Sequence, residues 1–500
     1  MSGAPAWPAR FAGRRSLLLL GFGVLACDEP PVERILVEPV PAILTIDRDS
    51  VVLLEGTSHR LSATLRDSSG IALEGPVSWL SYPPEIAAVD RTGLVRAHQM
   101  GTALVVARSG ELTDTAHIDV RVRFRSVSAG QSHTCAVTAI GRVYCWGYNR
   151  EGQLGTGTMG TRTGPTRVAS GLTFATVSAG LDFTCAAGGA APHCWGANRS
   201  GQLGTAARSD ATTPAPVAGD LSAIAVSAYA IHACGWSPPS DTETGVAHCW
   251  GADWAGQLGD GAEVPGYGPQ AIRGERQFGA LAVGRLFTCG LTVGGEVYCW
   301  GANTTGQLGR SDAPETCLYP RGRSFPCSSA PLAVPATNTF AVLGAGAQHA
   351  CAVGIDDSTY CWGDNTSGQL GVGSTSAHLQ PTTVAGGLEF TALALGDRHT
   401  CGLTPDGAAY CWGANESGAL GTTATYENCG SRLCSTVPVR AAPGHLFVQL
   451  SASRGGNGAH TCGLTTDGVL LCWGRNEWGQ LGAGFQGGIS FEPLRVSGQP

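Results

Sequence analysis

Lysine is missing from this 500-residue chain, and all 31 of its basic residues are arginine. A phosphate-binding loop that ends in Gly-Lys and a catalytic lysine that forms a Schiff base are therefore both excluded. Charged residues make up only 14% of the chain, which argues against a disordered or coiled-coil protein. The net charge of −7 disfavours nucleic acid as a partner, because phosphate contacts require clustered positive charge.

The sequence also lacks the usual signatures of catalysis. It contains no Gly-x-Ser-x-Gly nucleophile motif and no His-Glu-x-x-His zinc motif, and no pair of carboxylates stands out. Two Gly-x-Gly-x-x-Gly matches, which begin at Gly155 and Gly482, do not open a helix in a βαβ unit, as a dinucleotide site would. We therefore predict no catalytic residue, no bound metal and no cofactor.

No apolar run reaches the length of about 20 residues that a membrane span requires. Leu17 to Leu25 follows three arginines and predicts an export signal. The run ends in Val-Leu-Ala-Cys27, which resembles the lipobox of bacterial lipoproteins, whose cysteine is lipidated and becomes the mature N-terminus. We expect a signal peptide in residues 1–26, then the lipidated Cys27 and a linker in residues 27–33. An ordinary cleavage site followed by a chance cysteine is the alternative.

Glycine, with 73 residues, and proline, with 28, are abundant, as in short strands joined by tight turns. Residues 34–123 contain no cysteine, and turn signals separate their short apolar runs. This pattern predicts a β-sandwich with Trp79 as its core aromatic residue. The pieces Val77–Trp79, Ile86–Asp90 and Gly93–Val95 resemble a group 2 bacterial immunoglobulin-like domain. That resemblance implies a spacer on an exported bacterial protein.

The rest of the chain repeats the tripeptide Cys-Trp-Gly seven times, at intervals of 49 to 62 residues. Each copy lies in a unit that reads Gly-x-x-His-Thr-Cys, a turn, Cys-Trp-Gly-x-Asn and Gly-Gln-Leu-Gly, with room for four short strands. Seven four-stranded units predict a β-propeller over residues 124–500. The expected chain is thus all-β, an immunoglobulin-like β-sandwich followed by a seven-bladed β-propeller.

The unit is similar to the regulator of chromosome condensation repeat in its Gly-x-x-His-Thr, Trp-Gly-x-Asn and Gly-Gln-Leu-Gly pieces. The resemblance implies the propeller fold and says much less about function. Members of that family include nucleotide exchange factors for a small GTPase, secreted bacterial inhibitors of β-lactamase and bacterial surface proteins. Since this chain has an export signal and a Cys-Trp-Gly in every unit, we expect it to be nearer the last two groups.

The ends of the repeat region predict how the ring closes. The first unit lacks an upstream Pro-x-x-Val strand, and Glu492–Val496 is a spare strand of that type after the last unit. We expect this spare strand to complete the first blade, so that no free sheet edge remains.

Each repeat carries one cysteine before its hairpin turn and one in Cys-Trp-Gly, so the two should face each other on adjacent strands. Disulfides are the expected state in an exported protein, whereas free buried thiols and zinc sites are weaker alternatives. Two further pairs lie in insertions, and lipidation explains the one cysteine left over, Cys27. The predicted pairs are Cys135 with Cys145, Cys185 with Cys194, Cys234 with Cys249, Cys289 with Cys299, Cys317 with Cys327, Cys351 with Cys361, Cys401 with Cys411, Cys429 with Cys434 and Cys462 with Cys472.

A histidine precedes the first repeat cysteine by two positions in five units, whereas Phe183 and Phe287 take this position in the other two. Because an aromatic ring can replace the histidine, we predict packing or a local hydrogen bond in preference to metal binding. The Asn after Cys-Trp-Gly predicts an Asx-type turn, and Asp253 replaces it in the third unit.

Long insertions concentrate on one face of the predicted disc. Because consecutive strands are antiparallel, the loops after Gly-Gln-Leu-Gly and those before His-Thr-Cys share this face, and only the Trp236–Gly245 insertion leaves from the other. Insertions clustered on one face predict a binding surface. The alternative is that they have no function and are merely tolerated by the fold. The candidate partner-binding residues are Arg310, Tyr319, Arg321, Arg323, Phe325, Tyr426, Arg432, Trp254 and Trp478.

These observations predict a monomeric, non-catalytic protein, anchored by lipid to a bacterial cell envelope, whose propeller face binds a protein partner. Binding of an envelope polysaccharide or matrix glycan and inhibition of an extracellular enzyme are alternatives. Two further alternatives are nucleotide exchange by family analogy and an unrecognised hydrolase or lyase at the central channel. The enzyme alternative requires a group of acidic, basic or metal-ligating residues that breaks the repeat in a few blades, and the sequence alone reveals none.

Overall fold

The computed structural model describes residues 40–188, 191–219, 221, 225–236, 247–318, 322–424, 427–455 and 459–500. All regular secondary structure in these residues is β-strand, in a β-sandwich followed by a ring of seven β-sheets. The predicted all-β class and the order of its two parts are thus confirmed. Within the same residues no helix has the length and apolar character that crossing a membrane requires. The predicted signal peptide, Cys27 and the linker lie outside the described residues.

The β-sandwich contains ten strands in three small sheets. They are β1 (Ile43–Ile46), β2 (Ser50–Leu54), β3 (Ser58–Arg60), β4 (Ala63–Arg66), β5 (Ala72–Leu73), β6 (Ser78–Tyr82), β7 (Ala87–Val89), β8 (Leu94–Ala97), β9 (Gly101–Ser109) and β10 (Leu112–Arg121). The sheet orders are β2-β10-β9-β6, β1-β4-β5 and β3-β8-β7, around a core that includes Leu61, Val95 and Val105. Trp79 packs against this core but is only partly buried, because β6 is an edge strand of its sheet.

Each of the seven sheets that follow is one blade and is built from one contiguous segment of chain. Blade 1 contains β11 (Phe124–Ala129), β12 (His133–Thr138), β13 (Val143–Gly147) and β14 (Arg162–Arg167). Blade 2 contains β15 (Thr176–Ala179), β16 (Phe183–Ala187), β17 (His193–Gly196) and β18 (Ala211–Pro216). Blade 3 contains β19 (Ala225–Tyr229), β20 (His232–Trp236), β21 (Ala247–Gly251) and β22 (Gly266–Ala271). Blade 4 contains β23 (Phe278–Val283), β24 (Phe287–Thr292), β25 (Val297–Ala302), β26 (Glu315–Leu318) and β27 (Ser324–Ala333).

Blade 5 contains β28 (Phe340–Ala345), β29 (His349–Gly354), β30 (Thr359–Gly363) and β31 (His378–Thr383). Blade 6 contains β32 (Ala392–Leu395), β33 (His399–Leu403), β34 (Ala409–Ala414), β35 (Glu427–Cys429) and β36 (Arg432–Arg440). Blade 7 contains β37 (Phe447–Ala452), β38 (His460–Thr465), β39 (Leu470–Arg475) and β40 (Ile489–Arg495). The first strand of each blade lines the central channel. Blades 4 and 6 each gain a fifth, outer strand, β26 and β35, from their insertions.

The glycine of Cys-Trp-Gly lies at an irregularity between the third and fourth strands of every blade. Its φ angle lies between 101° and 112° in all seven blades, a conformation that favours glycine. At Gly147 an added Cβ would also lie 2.5 Å from the carbonyl oxygen of Ser132. The third residue of the tripeptide is therefore fixed by backbone geometry and close approach.

A tryptophan joins each blade to the preceding one. The indole Nε1 of each Cys-Trp-Gly donates to a backbone carbonyl of the Gly-Gln-Leu-Gly segment in the preceding blade, or of its Gly-Ala-Leu-Gly counterpart in blade 6, at 2.9–3.1 Å. All seven rings are completely buried. The pairs are Trp146–Gln480, Trp195–Gln153, Trp250–Gln202, Trp300–Gln257, Trp362–Gln307, Trp412–Gln369 and Trp473–Ala419.

Five of the seams between blades also contain a histidine–threonine pair. The histidine Nε2 lies 2.8–3.0 Å from Oγ1 of the threonine in the next blade. Each threonine hydroxyl donates its one proton to the carbonyl that receives the indole, so the histidine must donate its Nε2 proton to the hydroxyl. The pairs are His133–Thr184, His232–Thr288, His349–Thr400, His399–Thr461 and His460–Thr134.

The other two seams replace both members of the pair. Phe183 takes the histidine position of blade 2, and it shares an apolar cluster with Ala233, which takes the threonine position of blade 3. Phe287 and Ala350 replace the pair between blades 4 and 5 in the same way. A phenylalanine therefore occurs where the neighbouring blade offers a methyl group and no hydroxyl.

The ring closes without the strand exchange that the sequence predicted. The spare strand is β40, which pairs with β39 as the outermost strand of blade 7, while blade 1 takes its own outer strand, β14. The prediction was wrong because each Pro-x-x-Val strand belongs to the blade of the hairpin that precedes it. Side chains close the seam between blades 7 and 1, where Val496 packs in one cluster with Val122 and Trp146.

The β-sandwich contacts the propeller at blade 1. The Tyr144 hydroxyl donates to Oε1 of Glu55 at 3.0 Å and accepts from the amide of Met100 at 3.1 Å. The backbone of the chain end joins the contact, since the amide of Val122 donates to the Gly498 carbonyl. Glu55 is only 6% exposed, and burial raises the pKa of its carboxyl, against the opposing effects of the Tyr144 hydrogen bond and the charge of Arg142.

Candidate functional site

The strand order gives the ring two faces with different loops. The first face carries the loops between the first and second strands and those between the third and fourth strands of each blade, and we call it the insertion face. Its long segments are 303–323 and 415–431, which leave blades 4 and 6, whereas 252–265 of blade 3 has the same length of 14 residues as the corresponding loops of blades 1, 2 and 5. The opposite face carries the hairpins between the second and third strands and the connections from blade to blade.

The described cysteines form nine disulfides, and these join the same pairs that the sequence predicted. Seven of them link the second and third strands inside the blades, where the paired Cα atoms are 4.0–4.1 Å apart and every cysteine is completely buried. These seven brace the hairpins from within and offer no surface to a partner. They join Cys135 with Cys145, Cys185 with Cys194, Cys234 with Cys249, Cys289 with Cys299, Cys351 with Cys361, Cys401 with Cys411 and Cys462 with Cys472.

The other two disulfides clamp hairpins of the insertion face. Cys317 bonds to Cys327 and joins β26 to β27, and Cys429 bonds to Cys434 and joins β35 to β36. The insertions of blades 4 and 6 are therefore braced extensions of their sheets.

Two of the candidate partner-binding residues hold the insertion of blade 4 together. Phe325 is only 5% exposed and lies in a cluster with Cys317 and Cys327, so the expectation of a ring open to a partner is wrong. Its place on β27, directly opposite Cys317, turns the ring inward under the disulfide. Arg310 is half-buried, and its guanidinium binds the Asp312 carboxylate at 2.9 Å and the Ala333 carbonyl at 3.0 Å.

Other candidates on the insertion face are accessible. Arg323 and Arg432 are exposed, and Arg432 lies 3.6 Å from a carboxylate oxygen of Glu416. Trp254 and Trp478 are partly buried. The Trp478 ring packs edge-on against Tyr148 across the seam between blades 7 and 1, with ring centroids 4.9 Å apart. The remaining candidates lie outside the described residues: Tyr319, Arg321 and Tyr426.

At the centre of the insertion face, the mouth of the channel holds a polar group that the sequence did not reveal. The Tyr229 hydroxyl lies 3.4 Å from Oδ1 of Asp397, so blade 3 reaches across the axis to blade 6. Arg454 of blade 7 donates from Nη1 to the Ala228 carbonyl at 2.5 Å, and its guanidinium carbon lies 5.8 Å from the centre of the Tyr229 ring. We call Tyr229, Arg285, Asp397, Arg398 and Arg454 the mouth cluster.

The mouth cluster lines a cavity of about 270 Å³ together with apolar side chains that include Leu181 and Ala230. Burial raises the pKa of Tyr229 well above its usual value, so its hydroxyl stays protonated. Burial also raises the pKa of Asp397, against the opposing charges of Arg398 and Arg285. Three arginines and one carboxyl make the mouth positive and rich in hydrogen-bond donors.

The repeat units match the model of the regulator of chromosome condensation (RCC1) repeat over residues 124–153, 280–307, 390–419 and 447–480. A second model of this repeat matches residues 141–187, 294–353 and 356–403. The chain carries RCC1 repeats. Residues 41–120 match the group 2 bacterial Ig-like domain. Nine disulfides together with this domain indicate an extracellular protein.

Several solved structures share the fold. Yeast RCC1 (Prp20), solved bound to Kap60, is 18% identical with a TM-score of 0.60, and the match covers 75% of this chain and 85% of that one. A second structure of Prp20p from Saccharomyces cerevisiae, reported with its binding properties to Gsp1p and histones, is 19% identical with a TM-score of 0.60 and coverage of 75% and 87%. Human WBSCR16 is 21% identical, with a TM-score of 0.58 and coverage of 71% and 94%. At these identities the likeness is evidence for the fold alone.

Aligning the RCC1 units on the loop between their first and second strands would have revealed the mouth cluster from the sequence. The position at the end of the first strand is glycine in five units, but it is Tyr229 in blade 3 and Ser453 in blade 7. The next position holds Arg285, Asp397 and Arg454 in blades 4, 6 and 7. These departures lie far apart in the chain, and only the curvature of the RCC1 ring brings them together.

No metal-binding group emerges among the described residues of the RCC1 propeller. Glu263 approaches Cys317 and Cys327, but both sulfurs are bonded to each other and cannot act as thiolate ligands. The repeat histidines are dispersed around the ring and are each bound to a threonine of the next blade. They serve the seams between blades.

Proposed function

We propose that the protein is a non-catalytic interaction protein, held on a bacterial cell envelope through lipidated Cys27, whose insertion face binds a protein partner. The single observation that carries the proposal is the placement of every long described insertion and of the mouth cluster on one face. The RCC1-type propeller fold commonly mediates protein binding. Arginine and aromatic side chains on the insertion face are typical of the residues that dominate protein interfaces.

The position of the Ig-like domain supports display of the insertion face. Its contacts lie at the opposite face, where Gly56 approaches the Ile140 hairpin and the His98 carbonyl accepts from Arg167. Since the Ig-like domain precedes the propeller, and Cys27 precedes both in the chain, we propose that the anchor lies on the side of the Ig-like domain. The insertion face is then directed away from the anchored end.

The mouth cluster also bears on the enzyme alternative, because it is a group that breaks the repeat in a few blades. Asp397 is the one acid among the described residues lining this cavity, and Arg398 and the Tyr229 hydroxyl engage it. Tyr229 keeps its proton because burial raises its pKa. The group offers charge and hydrogen-bond donors without an activated nucleophile or a second carboxyl, which favours binding over catalysis.

A triple variant of the insertion face tests the proposal. We would change Arg323→Glu, Arg432→Glu and Trp478→Ala in the chain that starts at Asp28, made under oxidising conditions. The unaltered chain, immobilised and exposed to envelope and secreted extracts, should retain one protein stoichiometrically, as quantified by mass spectrometry. The triple variant should retain it at least tenfold less, because charge reversal and loss of an aromatic contact remove interface anchors.

The matched control places similar changes on the opposite face, with Arg276→Glu, Val293→Ala and Ile355→Ala. The control should retain the partner as well as the unaltered chain does. Equal retention by both triple variants would show that the insertion face is the wrong surface. Retention of polysaccharide in place of a protein would favour the glycan alternative. Chemical alteration of small molecules in the extract would favour the enzyme alternative.

A further inference from the structure

We propose that the mouth cavity is a socket for one carboxylate, which an acidic side chain of the protein partner supplies. The source of the carboxylate rests on the proposed function, whereas the chemistry of the socket does not. Three observations carry the inference: an excess of arginine over carboxylate, a cavity of limited size, and side chains that depart from the repeat.

Positive charge exceeds negative charge in the socket. Arg398 is shared between Asp397, at 3.7 Å, and Glu416, at 3.9 Å. Arg285 and Arg454 form no ion pair with any carboxylate in the described part of the chain. Arg454 donates one hydrogen bond to the Ala228 carbonyl, and it lines the cavity. A guanidinium held in a partly buried site without an acid favours an anionic ligand.

The size and the arginine side chains of the socket favour a small planar anion. Its volume of about 270 Å³ admits the end of one side chain or a molecule of similar size. Guanidinium groups match carboxylates with two parallel N–H···O bonds. A phosphate dianion would bring more negative charge close to Asp397, whereas a carboxylate needs only one arginine in excess. The apolar wall of Leu181 and Ala230 suits the methylene groups of a glutamate.

Tyr229 replaces the glycine that five blades carry at this position, and its ring is buried in an apolar cluster. In other blades a side chain at this position would collide with the aromatic ring of the same loop: an added Cβ on Gly130 lies 2.5 Å from His133 Cε1, and one on Gly396 lies 2.4 Å from His399 Cε1. Blade 3 nevertheless carries a tyrosine, which crosses the channel and forms the floor beneath Arg454. The tyrosine therefore gives the mouth a hydroxyl that a glycine at this position cannot supply.

The test compares two neutral-backbone probes on the chain from Asp28 to Pro500. These are N-acetyl-L-glutamate N-methylamide and its glutamine counterpart, titrated by NMR. The glutamate probe should bind at least tenfold more tightly, because only it carries the charge. Arg454→Gln and the exposed Arg285→Gln should each weaken glutamate binding at least fivefold, with little change for glutamine. Arg276→Gln is the matched control, since this arginine also lies over a tyrosine ring, at 4.4 Å, but on the opposite face.

The melting temperature of each variant separates loss of the socket from loss of the fold, and Arg285→Gln keeps the test valid if Arg454→Gln does not fold. Equal affinity for the two probes, or glutamate binding that survives in a folded Arg285→Gln chain, would overturn the socket. Tighter binding of methyl glucuronide than of the glutamate probe would overturn the protein source of the carboxylate. Selective glutamate binding by a chain that captures no protein would preserve the socket while the proposed function fails.

Discussion

The seams between blades and the insertion face depart from the repeat in opposite ways. In the seams, departures come in matched pairs: where Phe287 replaces a histidine, Ala350 replaces the threonine that would have faced it. On the insertion face, departures such as Tyr229 and Arg454 have no such counterpart in the neighbouring blade. A matched change preserves packing and leaves the ring as it was. An unmatched change adds a side chain that the repeat does not contain, which is the pattern expected at a functional site.

The buried histidines of the seams should give the largest measurable effect, which is a dependence of the unfolding free energy on pH. Burial lowers the pKa of His133, His232, His349 and His399 to about 3, so these rings are neutral in the folded protein. The unfolded chain binds protons below pH 6.5, so stability is full above 6.5 and is lost as pH falls toward 3. Each histidine contributes a slope of up to about 1.4 kcal/mol per pH unit.

Guanidinium unfolding between pH 7 and 4 measures that slope. The double variant that combines His349→Phe with Thr400→Ala turns one histidine seam into a phenylalanine seam and should reduce the slope by one proton. Arg276→Gln, far from any seam histidine, should leave it unchanged. A double variant with the same slope as the unaltered chain would mean that His349 does not control the acid response.

Asp253 should give a smaller effect of opposite sign. In the other six units the Asn side chain donates Nδ2–H bonds to loop carbonyls, whereas Asp253 offers oxygen in the same buried position. Burial raises the pKa of Asp253 to about 8, and the charges of Asp260 and Glu263 add to the shift. Stability from this group is therefore full near pH 4 and is lost as pH rises to about 8.

Asp253→Asn restores the repeat and should abolish this loss, which amounts to at most about 1.4 kcal/mol per pH unit. The window from pH 6.5 to 8 is informative when the two chains are compared, because the histidines titrate alike in both chains. Over this window the melting temperature of the unaltered chain should fall relative to that of the variant. An Asn variant that still loses stability over this window would refute the role of Asp253.

The sequence predicted most of the ring because its repeat encodes local pairings. The two cysteines of each hairpin, ten residues apart in most units, face each other across a tight turn, so their spacing was sufficient to pair them. Ring closure was predicted wrongly because a cyclic repeat does not state where its unit begins. The same sequence pattern fits a blade that starts before or after the Pro-x-x-Val strand.

Two features of the site were not predicted, because they depend on which residues lie close together in the folded chain. Phe325 lies next to a proline in an insertion and suggests an exposed anchor, yet pairing of β26 with β27 places it under a disulfide. Tyr229 and Asp397 are separated by 168 residues and meet only because seven blades close a circle. No local motif marks either position, although an alignment of the seven units marks Tyr229 as an exception.

A double-mutant cycle on one seam tests the matched pairs directly. His349→Phe alone sets a larger ring against the Thr400 methyl and hydroxyl and should cost about 1–3 kcal/mol of unfolding free energy. Thr400→Ala alone leaves the buried Nε2–H of His349 without an acceptor and should cost a similar ~1–3 kcal/mol. The double variant reproduces the phenylalanine–alanine seam, so it should lose less than the sum of the single variants, with a coupling of about 1–2 kcal/mol. Additive losses would mean that Phe287 with Ala350, and Phe183 with Ala233, are coincidences and not compensations.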